Sequence, residues 1–271
     1  MKARDYILPA LAVLCTVMSS LAQDPGSKEA SNLRQARTST GTGRITTADL
    51  PAPDADGFIR LFNGKDLTGW EGLEGYWSVK DGVIDGSETR EKSKQTFLIL
   101  SASKADPKKF ANFELHFQYK FATPAGNSGL QFRSKILDEK TFRVGGYQAD
   151  CDANAQYDGG FYDEAGVAGK RGIMARRGFK TTWDSANKRS NEPLGLSKEE
   201  LAKAVKKGDW NSMIVIAKGN TMRIAINGQT LSELIDNSPM AVHEGVIAFQ
   251  LHAGFTMTVQ FKDVKIKLLR P

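Results

Sequence analysis

Cysteine is scarce in this chain: Cys15 and Cys151 are the two in 271 residues. Cys15 lies in a stretch that reads as a cleaved signal, so the mature chain would keep Cys151 alone, and an intrachain disulfide is excluded. A core, not a covalent staple, must hold the fold. With no histidine beside it in sequence, Cys151 reads as a packed thiol and not a nucleophile. Histidine is sparse too, with His116, His243 and His252 far apart. Neither His-x-x-x-His nor Cys-x-x-Cys occurs, which removes the usual zinc spacings. There is no Gly-x-Ser-x-Gly, no phosphate loop and no dinucleotide fingerprint, so the commonest serine hydrolase, nucleotide and hydride-transfer chemistries have no carrier. No window is apolar over the roughly 20 residues that a membrane helix needs, so no membrane span is expected. Internal repeats and heptads are absent.

What is present begins with a secretory pattern over residues 1–22. Lys2 and Arg4 form a basic start, Tyr6 to Val17 is mostly apolar, and Ser20-Leu21-Ala22 is a small-x-small cleavage site. Leu14 precedes Cys15 where a lipid-attachment cysteine needs a small residue, so the expectation is a soluble exported protein, periplasmic or extracellular. Residues 23–56, rich in Ser, Thr, Ala, Gly and Pro, read as a disordered linker ahead of a folded domain over residues 57–271. The formal charge is +6; loss of residues 1–22 takes Lys+Arg from 37 to 35 and Asp+Glu from 31 to 30, leaving +5. Residues 170–209 alone hold eleven Lys/Arg against five Asp/Glu, a local +6. That segment lacks an arginine-rich run with interleaved aromatics, so it reads as a solvated, sugar- or anion-facing insert, with no nucleic acid partner.

The folded part reads as all-β. Phe58 to Phe62 alternates into the turn dipeptide Asn63-Gly64, Asp81-Gly82 joins two short strands, and Gln95 to Leu100 forms another. Asn112 to Phe121 alternates for ten residues, with Phe113, Leu115, Phe117, Tyr119 and Phe121 on one face. Strands resume from Trp210 to Leu268 around Asn227-Gly228, and the apolar first and last strands are expected to lie near each other. One short helix interrupts the pattern: Ser197 and Glu200 form a capping box before Leu201, Ala204 and Val205. Many short strands, glycine turns and one inserted helix indicate a sandwich of two antiparallel sheets.

The stretch Gly145 to Gly166 differs from its surroundings, with Asp150, Asp152, Asp158, Asp163 and Glu164 beside three tyrosines and Gln148. Strand alternation from Tyr147 sends Gln148 and Asp150 to one face and Tyr147, Ala149 and Cys151 to the other. Asp152 and Asp158 read as turn residues, while Tyr162, Asp163 and Glu164 read as a rim. Asn127 to Arg133 is the second candidate: Gln131 and Arg133 are expected on one strand face, an amide beside a guanidinium suited to a carboxylate, a hydroxyl pair or an oxyanion. Gln250 and His252 alternate near a late strand end, and histidine is the natural proton carrier near neutrality. Trp77 and Trp210 read as core; Trp183, in the polar basic insert, reads as the ligand-facing tryptophan. The acid spacing lacks the later glycine and bidentate glutamate of a helix-loop-helix calcium loop, so calcium or another divalent metal is an open cofactor and no metal ligand is assigned.

Taken in order, LFNGKDLTGW (61–70), WSVKDGVIDG (77–86), NFEL (112–115), NSGLQFR (127–133), GYQAD (146–150), GGFYDE (159–164), KKGDWN (206–211), ING (226–228), GVIAFQLHAG and VQFKDVKIKLL resemble the 3-keto-disaccharide hydrolase family. That family is also described as a 3-keto-glucoside lyase and 3-keto-2-hydroxy-glucal hydratase domain. The resemblance covers about residues 57–269. It implies a concanavalin-like jelly roll and an exported enzyme that acts on 3-keto-glucosides or 3-keto-disaccharides. The implied reaction removes the acidified C2 proton, eliminates the C1 leaving group and hydrates the product. In this chain it points to Asp150 or Glu164 as base or acid, Arg133 and His252 as enolate or sugar contacts, and Gln131, Gln148, Tyr162, Asp163, Trp183 and Gln250 as sugar binders. A separate sugar 3-dehydrogenase upstream is implied, because nothing in the chain makes the ketone. The competing class is a non-catalytic, lectin-like sandwich that holds sugar on the same face.

Overall fold

A computed structural model describes residues 49–270. The expected signal, Cys15 and most of the expected linker lie outside the described residues. Ahead of Gly57, Leu50 packs against the core, and the Asp54 carboxylate accepts from the backbone N–H of Asp56 and Phe58 at 3.0 and 2.8 Å.

Two sheets pack face to face. The larger has ten strands. Its order is β12 (Arg189–Pro193), β11 (Phe179–Trp183), β15 (Gln229–Asp236), β14 (Thr221–Ile226), β13 (Asn211–Lys218), β6 (Phe113–Phe121), β17 (Met257–Leu268), β4 (Val83–Glu88) and β3 (Trp77–Lys80), with β1 (Ile59–Arg60) also on β17. The smaller runs β10 (Ile173–Ala175), β9 (Phe161–Glu164), β8 (Arg143–Asp152), β7 (Asn127–Asp138), β16 (Val246–Leu251), β5 (Thr96–Leu100) and β2 (Trp70–Glu71). The all-β sandwich expected from the strand patterns is the architecture observed. Its first and last strands pair, Ile59 opposite Ile266. One pairing departs from the antiparallel expectation: β11 runs parallel to β15.

Alternation explains the core. On β6 every odd-numbered residue from Phe113 to Phe121 is buried and every even one is half-exposed. Phe117 and Phe261 from the large sheet meet Phe249 and Trp70 from the small one. The Phe249 and Phe261 rings stack at 4.0 Å between centroids, and Phe249 lies 5.2 Å from Phe117 and 5.4 Å from Trp70. Each buried ring contributes about 1.5–3 kcal/mol relative to exposure, so this cluster sets the sheet spacing. Tyr147, Ala149 and Cys151 project into the same core, and burial pushes the Cys151 thiol well above its ordinary range. That is the inert, packed environment the sequence suggested.

The capping box closes on α2 (Lys198–Lys203), with Ser197 Oγ accepting from Glu200 N–H and Glu200 accepting from Ser197 N–H. A second helix, α1 (Ser101–Ala105), follows β5 directly; the strand pattern had concealed it. The basic insert is not an open loop: it supplies β10, β11 and β12 at the sheet edges. No described helix is long and apolar enough to cross a membrane.

Strands β8, β16 and β5 of the small sheet are buried on both faces. On the face turned away from the sandwich core, Phe97, Ile99, Val144, Val246 and Ala248 form a small apolar cluster under Ile136 and Phe142. Polar side chains occupy the rest of that face.

Candidate functional site

The register of the small sheet brings five predicted residues onto this outer face. Gln131 on β7 lies directly opposite Gln148 on β8, and Gln148 lies opposite Tyr162 on β9. Glu164 lies opposite Gly146, and Asp150 lies opposite Gly129 on the other flank. Both glycines shape the site. A Cβ at Gly129 would stand 2.7 Å from Gln148 Cγ, and one at Gly146 would stand 2.6 Å from Ser134 Oγ. Without side chains there, Gln148 can fold across β7 and Ser134 can reach the amides.

These groups form a directed chain of hydrogen bonds. Ser134 Oγ donates to Gln131 Oε1 at 2.7 Å, Gln131 Nε2 donates to Gln148 Oε1, and Gln148 Nε2 donates to Asp150 Oδ1 at 2.6 Å. Every donor points toward Asp150. The Asp150 carboxyl is nonetheless pushed up to about 8: burial is the main cause, opposed by the Gln148 bond and reinforced by the charges of Asp158, Asp152 and Glu164. At neutral pH Asp150 therefore keeps its proton and can give it away.

Glu164 sits at the other end in a different setting. Gln95 Nε2 donates to its Oε1 at 2.7 Å and Gln250 Nε2 to its Oε2 at 3.2 Å. Gln250 belongs to β16, three positions from β9, and Gln95 leads into β5, four positions away. Adjacent strands lie about 4.8 Å apart, so side chains bridge these gaps only because the sheet curls toward this face. Burial raises the Glu164 carboxyl, while the charges of His252 and Arg143 and the Gln250 bond pull it down. The Gln250 Oε1 atom is buried without a hydrogen-bond partner among the described residues, an acceptor open to a ligand donor.

His252 is half-buried beside this end. Its Nδ1 lies 2.8 Å from the Ala253 carbonyl, and its ring packs edge-on to Phe255. With Nδ1–H donated to that carbonyl, Nε2 accepts when the ring is neutral and donates when it is charged. Glu88, at the end of β4, secures the surroundings: it accepts from Ser93 Oγ and Lys94 N–H at 3.1 Å each, and Ser93 Oγ accepts from Gly254 N–H. The loop bearing Gln95 is thereby tied to the one following His252.

Three site residues are placed elsewhere, and the physical reasons are local. Arg133 does not share the Gln131 face: its φ is +48° and the register shifts between Phe132 and Lys135. Its guanidinium, 1% exposed, donates from Nε and Nη2 to Ala111 O at 2.9 and 2.7 Å, and from Nη1 to Gly219 O at 2.8 Å. It is neither an oxyanion contact nor an ion-pair partner of the central acids. Asp163 alternates to the core side, opposite Tyr147, and accepts from the N–H groups of Ala168 and Arg171 at 2.7 and 2.9 Å; it closes its own loop. Trp183 is buried on β11, donates Nε1–H to Met174 O at 3.1 Å, and has the Arg171 and Arg189 guanidiniums 4.8 and 5.8 Å from its ring. Because the insert folds as strands, its tryptophan faces inward. Trp210, expected in the core, is half-buried under the ammonium groups of Lys120 and Lys262, 5.0 and 4.2 Å from its ring.

The other acids of the central stretch are internal. Asp152 accepts from Asn154 and Tyr157 N–H, as a turn residue should, at 2.8 and 2.5 Å. Asp158 is fully buried against the Tyr119 hydroxyl and is pushed up to about 7, mainly by burial. Among the described residues no three His, Cys, Asp or Glu side chains converge as a metal site. Glu88, Gln95 and Arg143 escaped the sequence reading. Gln95 had a signal, alternating with Phe97 and Ile99; the other two enter through loop closure and sheet curvature.

The family model described as the 3-keto-alpha-glucoside-1,2-lyase-like domain matches residues 57–267. The chain belongs to this family. The match takes in β1 and nearly all of β17, and so covers the whole sandwich and the polar face just described. A Bacteroides thetaiotaomicron 3-keto-disaccharide hydrolase is 29% identical over 106 residues, which span 35% of this chain and 33% of that protein; the similarity thus reaches about a third of the relative's length. Among solved structures, a Parabacteroides distasonis protein provisionally described as a glycosyl hydrolase has a TM-score of 0.49 at 20% identity, covering 80% of this chain and 95% of its own. The carbohydrate-binding module CBM66 from Bacillus subtilis has a TM-score of 0.46 at 16% identity, covering 73% and 95%.

Proposed function

We propose that this domain of the 3-keto-alpha-glucoside-1,2-lyase-like family cleaves 3-keto-glucosides or 3-keto-disaccharides by elimination and hydration, with Glu164 as base and Asp150 as acid. The observation that carries the reading is the contrast between two carboxyls on one curved face: Asp150 retains its proton near neutrality, and Glu164 is held by an amide on each oxygen. Environments that separate two carboxyls in this way suit them to opposite roles.

The ketone at C3 acidifies the C2 proton. Glu164 takes that proton, and the electron pair forms the enolate. Collapse of the enolate expels the C1 oxygen, which receives the Asp150 proton, giving a 3-keto-2-hydroxy-glucal and the free alcohol. Water then adds across C1 and C2, with hydroxide to C1 and a proton returned to C2. His252 and Tyr162, both accessible at the edge of this face, are assigned to the enolate and sugar hydroxyls, and the unpartnered Gln250 Oε1 to a sugar O–H. The substrate ketone must come from a separate dehydrogenase acting on C3 of the sugar. The N-terminal signal pattern supports export to the periplasm or the exterior.

The test is product analysis after incubation with 3-keto-glucosides and with the unoxidised disaccharides. Conversion of the keto substrates alone, with a glucal intermediate trapped or observed, is the expected outcome; binding without conversion would reject the enzyme reading in favour of a lectin. A second expectation concerns pH. The kcat/KM profile should be bell-shaped, rising as Glu164 ionises above the ordinary glutamate value of 4.5 and falling near pH 8 as Asp150 loses its proton. A profile that stays flat beyond pH 9 would remove Asp150 from the acid role.

A further inference from the structure

Next to Glu164 the surface opens into a groove of about 430 Å³ lined by Lys94, Gln95, Leu137, Asp138, Thr141 and Arg143, a size within the usual small-ligand range of about 300–1,000 Å³. Two features tie it to the site. Gln95 lines the groove and also donates to Glu164, and Arg143 is close enough for its charge to act on the Glu164 carboxylate. A molecule in the groove would therefore abut the proposed base.

The groove holds two cations, Lys94 and Arg143, and one carboxylate, Asp138. Asp138 is the cross-strand partner of Arg143, and such a pair would ordinarily neutralise itself. Here the Asp138 carboxylate turns back into its own turn: Lys140 N–H donates to it at 2.8 Å, and bonds from Lys140 and Thr141 hold it below its ordinary range. Among the described residues neither Lys94 nor Arg143 forms an ion pair. Two exposed cations thus face a groove whose one acid keeps its charge but directs its oxygens to Lys140 N–H and Thr141. Leu137, 47% exposed, adds an apolar wall.

We propose that this groove is the subsite for the leaving group and that it takes a leaving group carrying a negative charge, a carboxylate or a phosphate, on Lys94 and Arg143. The proposal rests on the elimination reading above. Arginine offers a planar fork to either oxyanion and lysine a point charge, while Leu137 covers the less polar part of the ligand. A neutral sugar would gain the wall and the amide but leave both cations to water.

The test uses three 3-keto-glucosides whose benzyl leaving groups differ at the far ring position: carboxylate, phosphonate and neutral carboxamide. The full chain should favour one or both anionic substrates over the amide by at least about tenfold in kcat/KM, equivalent to 1.4 kcal/mol, and the preference should shrink as salt rises. Which anion is favoured more separates a carboxylate from a phosphate ligand. In Lys94→Gln/Arg143→Gln the ratio should fall toward one; using the ratio cancels any change in Glu164 that affects all three substrates. Turnover without an anion preference, or with a preference that survives in the double variant, overturns the groove assignment and leaves the elimination chemistry standing. If no keto substrate is turned over, calorimetry with the free 4-carboxybenzyl and 4-phosphonobenzyl alcohols decides: binding lost in the double variant keeps an anion site while the enzyme reading falls, and no binding overturns both.

Discussion

Asp150→Asn should lower kcat/KM on a 3-keto-glucoside by about 10²–10⁴, the usual contribution of one general acid or base, while leaving the sandwich folded. Asparagine keeps an acceptor for Gln148 Nε2 and cannot release an acidic proton. The same variant should gain stability relative to wild type as pH rises. The folded carboxyl titrates near 8 and the unfolded one near 3.8, so between these values the native state binds a proton that the unfolded chain has released. Wild-type stability therefore falls with rising pH across that window, with a slope approaching about 1.4 kcal/mol per unit. The variant lacks this term. Denaturant titrations at pH 5 and pH 8 would show the gap widening in its favour, the stability cost of a strained functional group. Full activity, or an unchanged pH slope, would reject the assignment of Asp150.

The second large effect is structural. Asp236 on β15 accepts both Arg171 nitrogens, Nη1 to Oδ1 at 3.0 Å and Nη2 to Oδ2 at 2.6 Å, and the Tyr147 hydroxyl of β8 at 2.5 Å. Both charged side chains are at most 3% exposed. Burial alone would raise the Asp236 carboxyl, but the bonds from Arg171, Tyr147 and Ser238 outweigh it and hold it below 3.8. Asp236→Ala leaves Arg171 buried with an uncompensated charge, a loss of about 3–5 kcal/mol. For a domain of this size that corresponds to roughly 6–20 °C in Tm. Asp236→Asn should lose less, since it retains acceptors. The stabilisation is present above pH 3.8 and is lost as pH falls through the lower folded value. A thermal shift below 2 °C for Asp236→Ala would show that Arg171 is not left buried with an uncompensated charge.

These two acids differ in how far they could be read in advance. Asp150 announced itself by composition and by alternation with Gln148. Asp236 sits at the end of a strand in a Leu-Ile-Asp-Asn run that gives no sign of a buried ion pair, because its partners Tyr147 and Arg171 are 89 and 65 residues away. Glu164 is intermediate. Its sequence neighbours mark it as polar and near a turn, yet of its two amide donors Gln250 lies on a strand three positions across the sheet and Gln95 in the loop leading into a strand four positions across.

The capping-box spacing determined the Ser197 cap, and sequence periodicity by itself determined the sandwich class, the nearness of first and last strands and the division of β8 into a core face and a polar face. It could do so because side-chain direction along one strand follows a period of two wherever the backbone is regular. Tertiary structure decided the rest. A register shift and a left-handed backbone at Arg133 broke that period and turned a supposed ligand contact into a support for the Ala111 and Gly219 carbonyls. Folding of the basic insert into edge strands took Trp183 inside. Curvature of the small sheet brought Gln95 and Gln250 to Glu164, because contact across several strands depends on how a sheet bends, a property of the whole packed sandwich and not of any one strand.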